Sequence, residues 1–245
     1  MKYVQKLGRL REQRLLARNA LKENGTLPFK PVSSAKWASI RRCPDGRILV
    51  QIQHDDAANV TPEMFRWWFE HLSCMTDWNG KDFSGPPVSL YHLWHHRDHV
   101  SVMPLTDAPD GARNTGFRVG ADTRIHEVFN EFHFTVHTRM HTVKLDEREY
   151  TFLIKFGPLT AGHIQHLYSP VDGGSSFYAE TKLGLGLPVL GWLFNWLVLP
   201  FLYNKKTAED WVRHNVEETG RTQDILPILY QNQDHVFFHR DSIQF

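Results

Sequence analysis

From Leu183 to Tyr203 the chain carries no charged side chain, a run long enough to cross a bilayer as one helix. Gly184, Gly186, Pro188, Gly191 and Pro200 interrupt it, and each is a weak choice for a continuous span. A crossing would also separate everything after Thr207 from everything before Leu183. The histidines and carboxylates that could act together lie on both sides of that divide. The segment therefore reads as a buried lining of the core or of a cavity, with peripheral membrane contact or a hydrophobic dimer surface as the alternative.

With no span, a chain of 245 residues can bury a real core, and the economical reading is one domain, residues 31–245, with an N-terminal helical appendage over residues 1–30. A net charge of +1 gives no reason to expect nucleic acid as a partner. Cys43 and Cys74 form no framework and no metal-binding pair, so they read as small buried hydrophobes. Without an apolar signal segment at the start, a reducing, cytoplasmic setting is expected. Fifteen histidines are unusual, and eight of them fall between His92 and His141. Eight Trp and sixteen Phe suit a cavity walled by rings as well as a core.

Residues 2–22 carry Lys2, Lys6, Arg9, Arg11, Arg14, Arg18 and Lys22 against the single acid Glu12. With Leu7, Leu10 and Ala17 at near-helical spacing, this predicts an amphipathic basic helix, packed loosely on the domain or touching an anionic membrane. Arg47–His54 alternates apolar and polar residues as a strand does. Thr61 is placed to cap a helix with Pro62 at its first position, and Val60 can staple onto Phe65. That helix offers Met64, Phe65, Trp67, Trp68, Phe69 and Leu72 around much of its circumference, so it must be buried. Strands follow over Arg124–His141 (one strand or a hairpin), Tyr150–Lys155, His163–Tyr168 and Ser176–Lys182. A second long helix begins at Thr207. Helices before and after a mostly antiparallel sheet predict an α+β architecture in which a curved sheet grips a C-terminal helix.

Three groups of residues can carry chemistry. In Tyr91–His99, four imidazoles occur within eight residues; if the segment is extended, His95 and His99 share a face, and Asp98 can orient a ligating imidazole. In Ile125–Glu131, period-2 geometry puts Glu127 and Glu131 on one face about Phe129. On the C-terminal helix, His214 and Glu218 stand one turn apart on the stripe that Trp211 anchors inward. Imidazole and carboxylate without thiolate fit Zn²⁺ best, with Mn²⁺ or Fe²⁺ as lesser options.

The run Asn59-Val-Thr-Pro-Glu-Met-Phe-Arg-Trp-Trp-Phe69, then Tyr91-x-Leu-Trp-x-x-x-Asp-His99 and the closing His214-x-x-x-Glu218, resembles the 2,4-diacetylphloroglucinol hydrolase family, phloretin hydrolase among its members. The resemblance covers about Gly46 to Tyr230. It implies a helix-grip, START-like fold preceded by helices, and a zinc enzyme that hydrolyses the carbon–carbon bond joining an acyl group to a hydroxylated aromatic ring. The metal ligands it implies are His99, Glu127, His214 and Glu218, with Glu131 competing for Glu127 and His95 for His99. For ring-hydroxyl contacts and proton transfer it implies Tyr91, together with His166 and Tyr168 or with His163 and Tyr178. His95-His96 departs from the family, whose members tend to have proline at the second position. The substrate class implied is a small aromatic ketone. A ring carbon leaves an acyl group only if it can take up a proton, which flanking ring hydroxyls allow through a keto tautomer, with Tyr91 or His166 as the donor. The competing class is a metal-free helix-grip carrier of a hydrophobic or aromatic small molecule, with membrane association as an option; a homo-oligomer is compatible with both.

Overall fold

A computed structural model describes residues 2–130 and 133–238. The basic N-terminal segment forms helix α1 (Lys2–Glu23), but the expected stripe is not what holds it. Leu7 is half exposed, whereas Ala17, Ala20 and Leu21 are buried in the main core. Arg14 adds a hydrogen bond from Nη2 to the His99 carbonyl at 2.9 Å. The second half of α1 is thus built into the domain and is not a loose appendage.

Strands β1 (Trp37–Arg42) and β2 (Ile48–Gln53) form a hairpin about Gly46, whose φ of 78° suits glycine. The two-residue strand β3 (Ala57–Ala58) leads into α2 (Pro62–His71). Thr61 Oγ1 accepts the Met64 N–H at 3.4 Å, and Val60 and Phe65 are both fully buried, as a cap and staple require. Phe65, Trp68 and Phe69 carry the helix into the core, so its apolar circumference has the burial it needs. After β4 (Met75–Thr76) and β5 (Val88–Ser89) comes α3 (Leu90–Trp94), buried throughout. The extended reading of Tyr91–His99 is corrected here. Helix runs to Trp94, a turn follows, and the strand begins only at His99. The turn is closed by Asp98 N–H donating to His95 Nδ1 at 3.0 Å.

From there the chain meanders through β6 (His99–Pro104), β7 (Asp122–Phe129), β8 (Phe134–Leu145), β9 (Glu149–Phe156), β10 (Leu159–Val171) and β11 (Gly174–Leu183). Every pairing is antiparallel, in the order β1-β2-β11-β10-β9-β8-β7-β6, with β3 beside β11. Arg124–His141 is therefore a hairpin. The short helices α4 (Leu190–Leu197) and α5 (Leu199–Leu202) precede the long helix α6 (Lys205–Gln231), and β12 (Val236–Phe237) returns to pair with β4. Asn204 Oδ1 caps α6 by accepting the Thr207 N–H at 3.1 Å. Helix α6 buries His214, Val216, Glu218, Ile225 and Leu229 within the sheet's grip. This is the expected α+β helix-grip fold.

The expectation that Leu183–Tyr203 lines the core or a cavity holds for Leu183, Leu199 and Tyr203 but is overturned for most of the segment between them. In α4 only Gly191 and Asn195 are buried, while Val189 is 71% exposed, Leu197 63% and Phe201 85%. The reason is local: the inward side of α4 is taken by a glycine and an asparagine, which leaves the apolar arc facing out. Among the described residues no helix is long and apolar enough to cross a membrane. Cys43 and Cys74 are both free and buried.

Candidate metal centre

His99 opens β6 directly opposite Glu127 on β7, so strand pairing alone makes these two side chains neighbours. Helix α6 brings His214 and Glu218 to the same place from the other wall, one turn apart. His99 Nε2 lies 3.3 Å from Glu218 Oε2, and His214 Nε2 lies 3.4 Å from it. One ligand atom from each of His99, His214 and Glu218 falls within 4.8 Å of the others. Glu127 stands at the margin of this set, with Oε1 3.8 Å from His99 Nε2. All four side chains are buried.

Hydrogen bonds fix which nitrogen of each ring faces the centre. His99 Nδ1 meets the Tyr91 carbonyl at 2.6 Å, an acceptor only, so that nitrogen carries the proton. His214 Nδ1 meets Asp98 Oδ2 at 3.1 Å and is protonated for the same reason. Both Nε2 atoms then present lone pairs inward, and neither has a hydrogen-bond partner. Glu127 Oε2 is likewise buried without one. Three orphaned atoms in one spot would each be costly, and a cation resolves all of them together. Asn215 holds the other oxygen of Glu218, donating from Nδ2 at 2.8 Å. Two imidazole nitrogens, a carboxylate and a marginal second carboxylate fit a zinc-type ion with one position open.

The electrostatics agree with a cation site. For His214, burial would lower the imidazole, but Glu218, the Asp98 hydrogen bond and Glu127 outweigh it and raise the group to about 10. For Glu218, burial would raise the carboxyl, yet His214 and His99 bring it down to about 2. Glu127 is raised, chiefly by burial. Positive charge is thus favoured at the centre, supplied either by a proton on His214 or by a metal.

The Tyr91 ring stacks on His99 with centroids 3.6 Å apart, and its hydroxyl donates to Glu127 Oε1. Burial and the neighbouring Glu127 push this phenol well above its ordinary value, so it keeps its proton. Above the centre opens a cavity of about 260 Å³, walled by Phe69, Trp94, Phe117, Phe129, Phe152 and Trp211. Its polar lining includes Tyr91, Glu127, Tyr150, His166 and Glu218. His166 packs its ring against both Phe69 and Tyr150, and burial lowers it to about 4, so it is neutral.

Of the expected proton-transfer groups, Tyr91 and His166 reach the cavity and three others do not. Tyr178 is turned to the outer face of the sheet, its hydroxyl donating to Glu180 Oε2 at 2.9 Å; Phe177 and Ala179 take the inward positions. His163 shares that outer face, 3.7 Å from Glu180. Tyr168 is buried but donates to the Asp146 carbonyl at 2.5 Å, away from the centre. Tyr150 was not foreseen, although its alternation with Phe152 and Ile154 marks the inward face of β9. His95 is excluded as a ligand. Its Nδ1 accepts from Asp98 and its Nε2 donates to Glu217 at 3.0 Å, which leaves no lone pair for a metal. The His95, Asp98 and His214 cluster is accordingly a hydrogen-bonded support. Glu131 lies outside the described residues.

No protein family and no curated protein matches the chain. Among solved structures, the chain is similar to protein NE0264 from Nitrosomonas europaea, at 12% identity over 78% of this chain and 99% of that one, with a TM-score of 0.37. It is also similar to Ara h 8.0201, at 12% identity over 71% and 97%, with a TM-score of 0.39. A third is the di-domain ARO/CYC BexL from the BE-7585A biosynthetic pathway, at 11% identity over 82% of this chain and 52% of that one, with a TM-score of 0.37.

Proposed function

We propose that this protein is a zinc-dependent hydrolase that cleaves the carbon–carbon bond between an acyl group and a hydroxylated aromatic ring. The observation that carries the reading is the set of inward-facing, partnerless atoms of His99, His214 and Glu127, gathered with Glu218 at the floor of an aromatic cavity. The motif resemblance supplies the reaction class. Zinc held by His99, His214 and Glu218, with Glu127 as a fourth ligand, would polarise a substrate oxygen and acidify water toward neutral pH.

The chain's own residues account for the rest. Phenylalanine and tryptophan faces stack a substrate ring and keep bulk water out. The ring carbon needs a proton as the acyl group departs. The Tyr91 hydroxyl holds one against Glu127, beside the centre, and neutral His166 can accept or relay one from across the cavity. Water supplies oxygen to the acyl carbon and a proton to the ring, which yields a carboxylic acid and the deacylated phenol. A metal-free carrier of an aromatic ligand would use the same walls but would have no use for the partnerless ligand atoms.

Elemental analysis of the purified protein separates the two readings. Wild type is expected to hold about one zinc and to release acid from acylated phloroglucinols, with activity lost on chelation and restored by zinc. His214→Ala and Glu218→Ala should each lose the metal. Tyr91→Phe should keep the metal and lose roughly 10²- to 10⁴-fold in rate. Full zinc occupancy in both alanine variants would refute the centre, and no acid from zinc-replete wild type would refute the reaction.

A further inference from the structure

The face formed by α4 and α5 has no role in the proposed chemistry. We propose that it is a docking surface for an anionic lipid bilayer, inserting into the headgroup region. This is independent of whether the centre holds zinc.

The helix has its polarity reversed. Asn195, its polar residue, is fully buried and spent on the protein, donating to the Asp45 and Leu185 carbonyls at 3.1 and 3.0 Å and accepting the Leu185 N–H at 2.8 Å. What faces outward is Val189, Leu190, Trp192, Trp196, Leu197 and, from α5, Phe201, between 42% and 85% exposed. A contiguous apolar surface of this kind is uncommon on a free-standing protein. Helices of eight and four residues are too short to span, so they can only lie in the interface. Two tryptophans within it match the residue type that favours the headgroup zone.

Charge chooses the occupant. Around the base of the patch stand Arg42, Arg47, Lys182, Lys205 and Lys206. The Arg42 guanidinium lies over the Trp196 ring at 5.1 Å. The nearby acids are already paired, Asp45 with Arg47 at 2.6 Å and Glu209 with Lys205 at 3.7 Å. Arg42, Lys182 and Lys206 have no ion-pair partner among the described residues. A second copy docking through the same patch would bring one ring of cations up to another, with no acidic surface to meet either. Anionic headgroups would neutralise them while the acyl region takes the rings. Leu183 and Tyr203, which bound the segment, both line the cavity, so the patch and the pocket adjoin along the chain.

Flotation of the full-length protein with phosphatidylcholine vesicles, with and without phosphatidylglycerol, tests this. Binding is expected to the anionic vesicles, to weaken with salt, and to carry a blue shift of tryptophan fluorescence. Leu197→Asp with Phe201→Asp should weaken it by about tenfold or more. Lys205→Glu with Lys206→Glu, on exposed side chains that leave folding intact, should do the same. Wild type that stays unbound to anionic vesicles overturns the proposal. A dimer split by the Leu197/Phe201 pair, in the absence of vesicle binding, would reassign the patch to contact between copies.

Discussion

Two imidazoles at the centre point the same way because something behind each holds its Nδ1 proton. For His214 that acceptor is Asp98, itself 4% exposed. Asp98→Asn should therefore weaken zinc retention about tenfold to a hundredfold, read by competition with a chromogenic chelator. Asp98→Glu should recover part of the loss. In the metal-free protein, His214 and Glu218 stabilise each other. A histidine raised from 6.5 to about 10 gives its full contribution to folding below 6.5 and loses it as the pH climbs toward 10. A carboxyl lowered from 4.5 to about 2 gives its full contribution above 4.5 and loses it as the pH falls toward 2. The stability gap between chelated wild type and chelated His214→Gln should then be widest between about pH 4.5 and 6.5 and shrink on either side. Residue spacing made much of this legible. His214 and Glu218 stand at helical spacing, and His99 and Glu127 occur in segments that read as strand. Tyr178 was misassigned because parity within a strand is set by which neighbour is buried, and a single strand in isolation does not say. The tie between Asp98 and His214 crosses 116 positions of chain, beyond any local pattern.

At the scale of elements, α2 was the most legible piece, since cap, proline, staple and aromatic density all agree. The apolar segment was the least. Its composition and periodicity announce helix, but which side faces the core depends on Asn195 finding the Asp45 carbonyl on the β1–β2 hairpin, a tertiary event. Asn195→Ala removes three hydrogen bonds from a fully buried position and leaves the Leu185 N–H and two carbonyls wanting partners. A loss of about 1–3 kcal/mol is expected. Hydrogen exchange should rise across residues 184–198 while zinc content stays at wild-type level. Unchanged exchange there would mean that the asparagine does not anchor the segment. The short α3 was also missed. Its sequence is rich in aromatic and histidine residues that suit a strand equally well, and only the turn closed by His95 Nδ1 fixes the helix.

Across the whole molecule, imidazoles are buried well beyond the centre. Burial lowers His54 and His92 to about 3, and His96 and His166 to about 4. Unfolding returns each toward 6.5, so below that pH the unfolded chain binds more protons than the folded one and stability falls as the pH falls. Acid unfolding should set in below about pH 6 and be shallower in His54→Gln. Thermal melts from pH 8 to 4 measure this, and a flat profile down to pH 4.5 would contradict the burial. The ligand atoms come from β6, β7 and α6, elements distant in the chain, so the unfolded polypeptide has no comparable place for an ion. If the proposed zinc fills the centre, its affinity would become part of the folding equilibrium, and free zinc would set how long each molecule survives. In a cell that clears opened chains, metal starvation would then register as a fall in the amount of this protein before it registered as a fall in turnover per molecule.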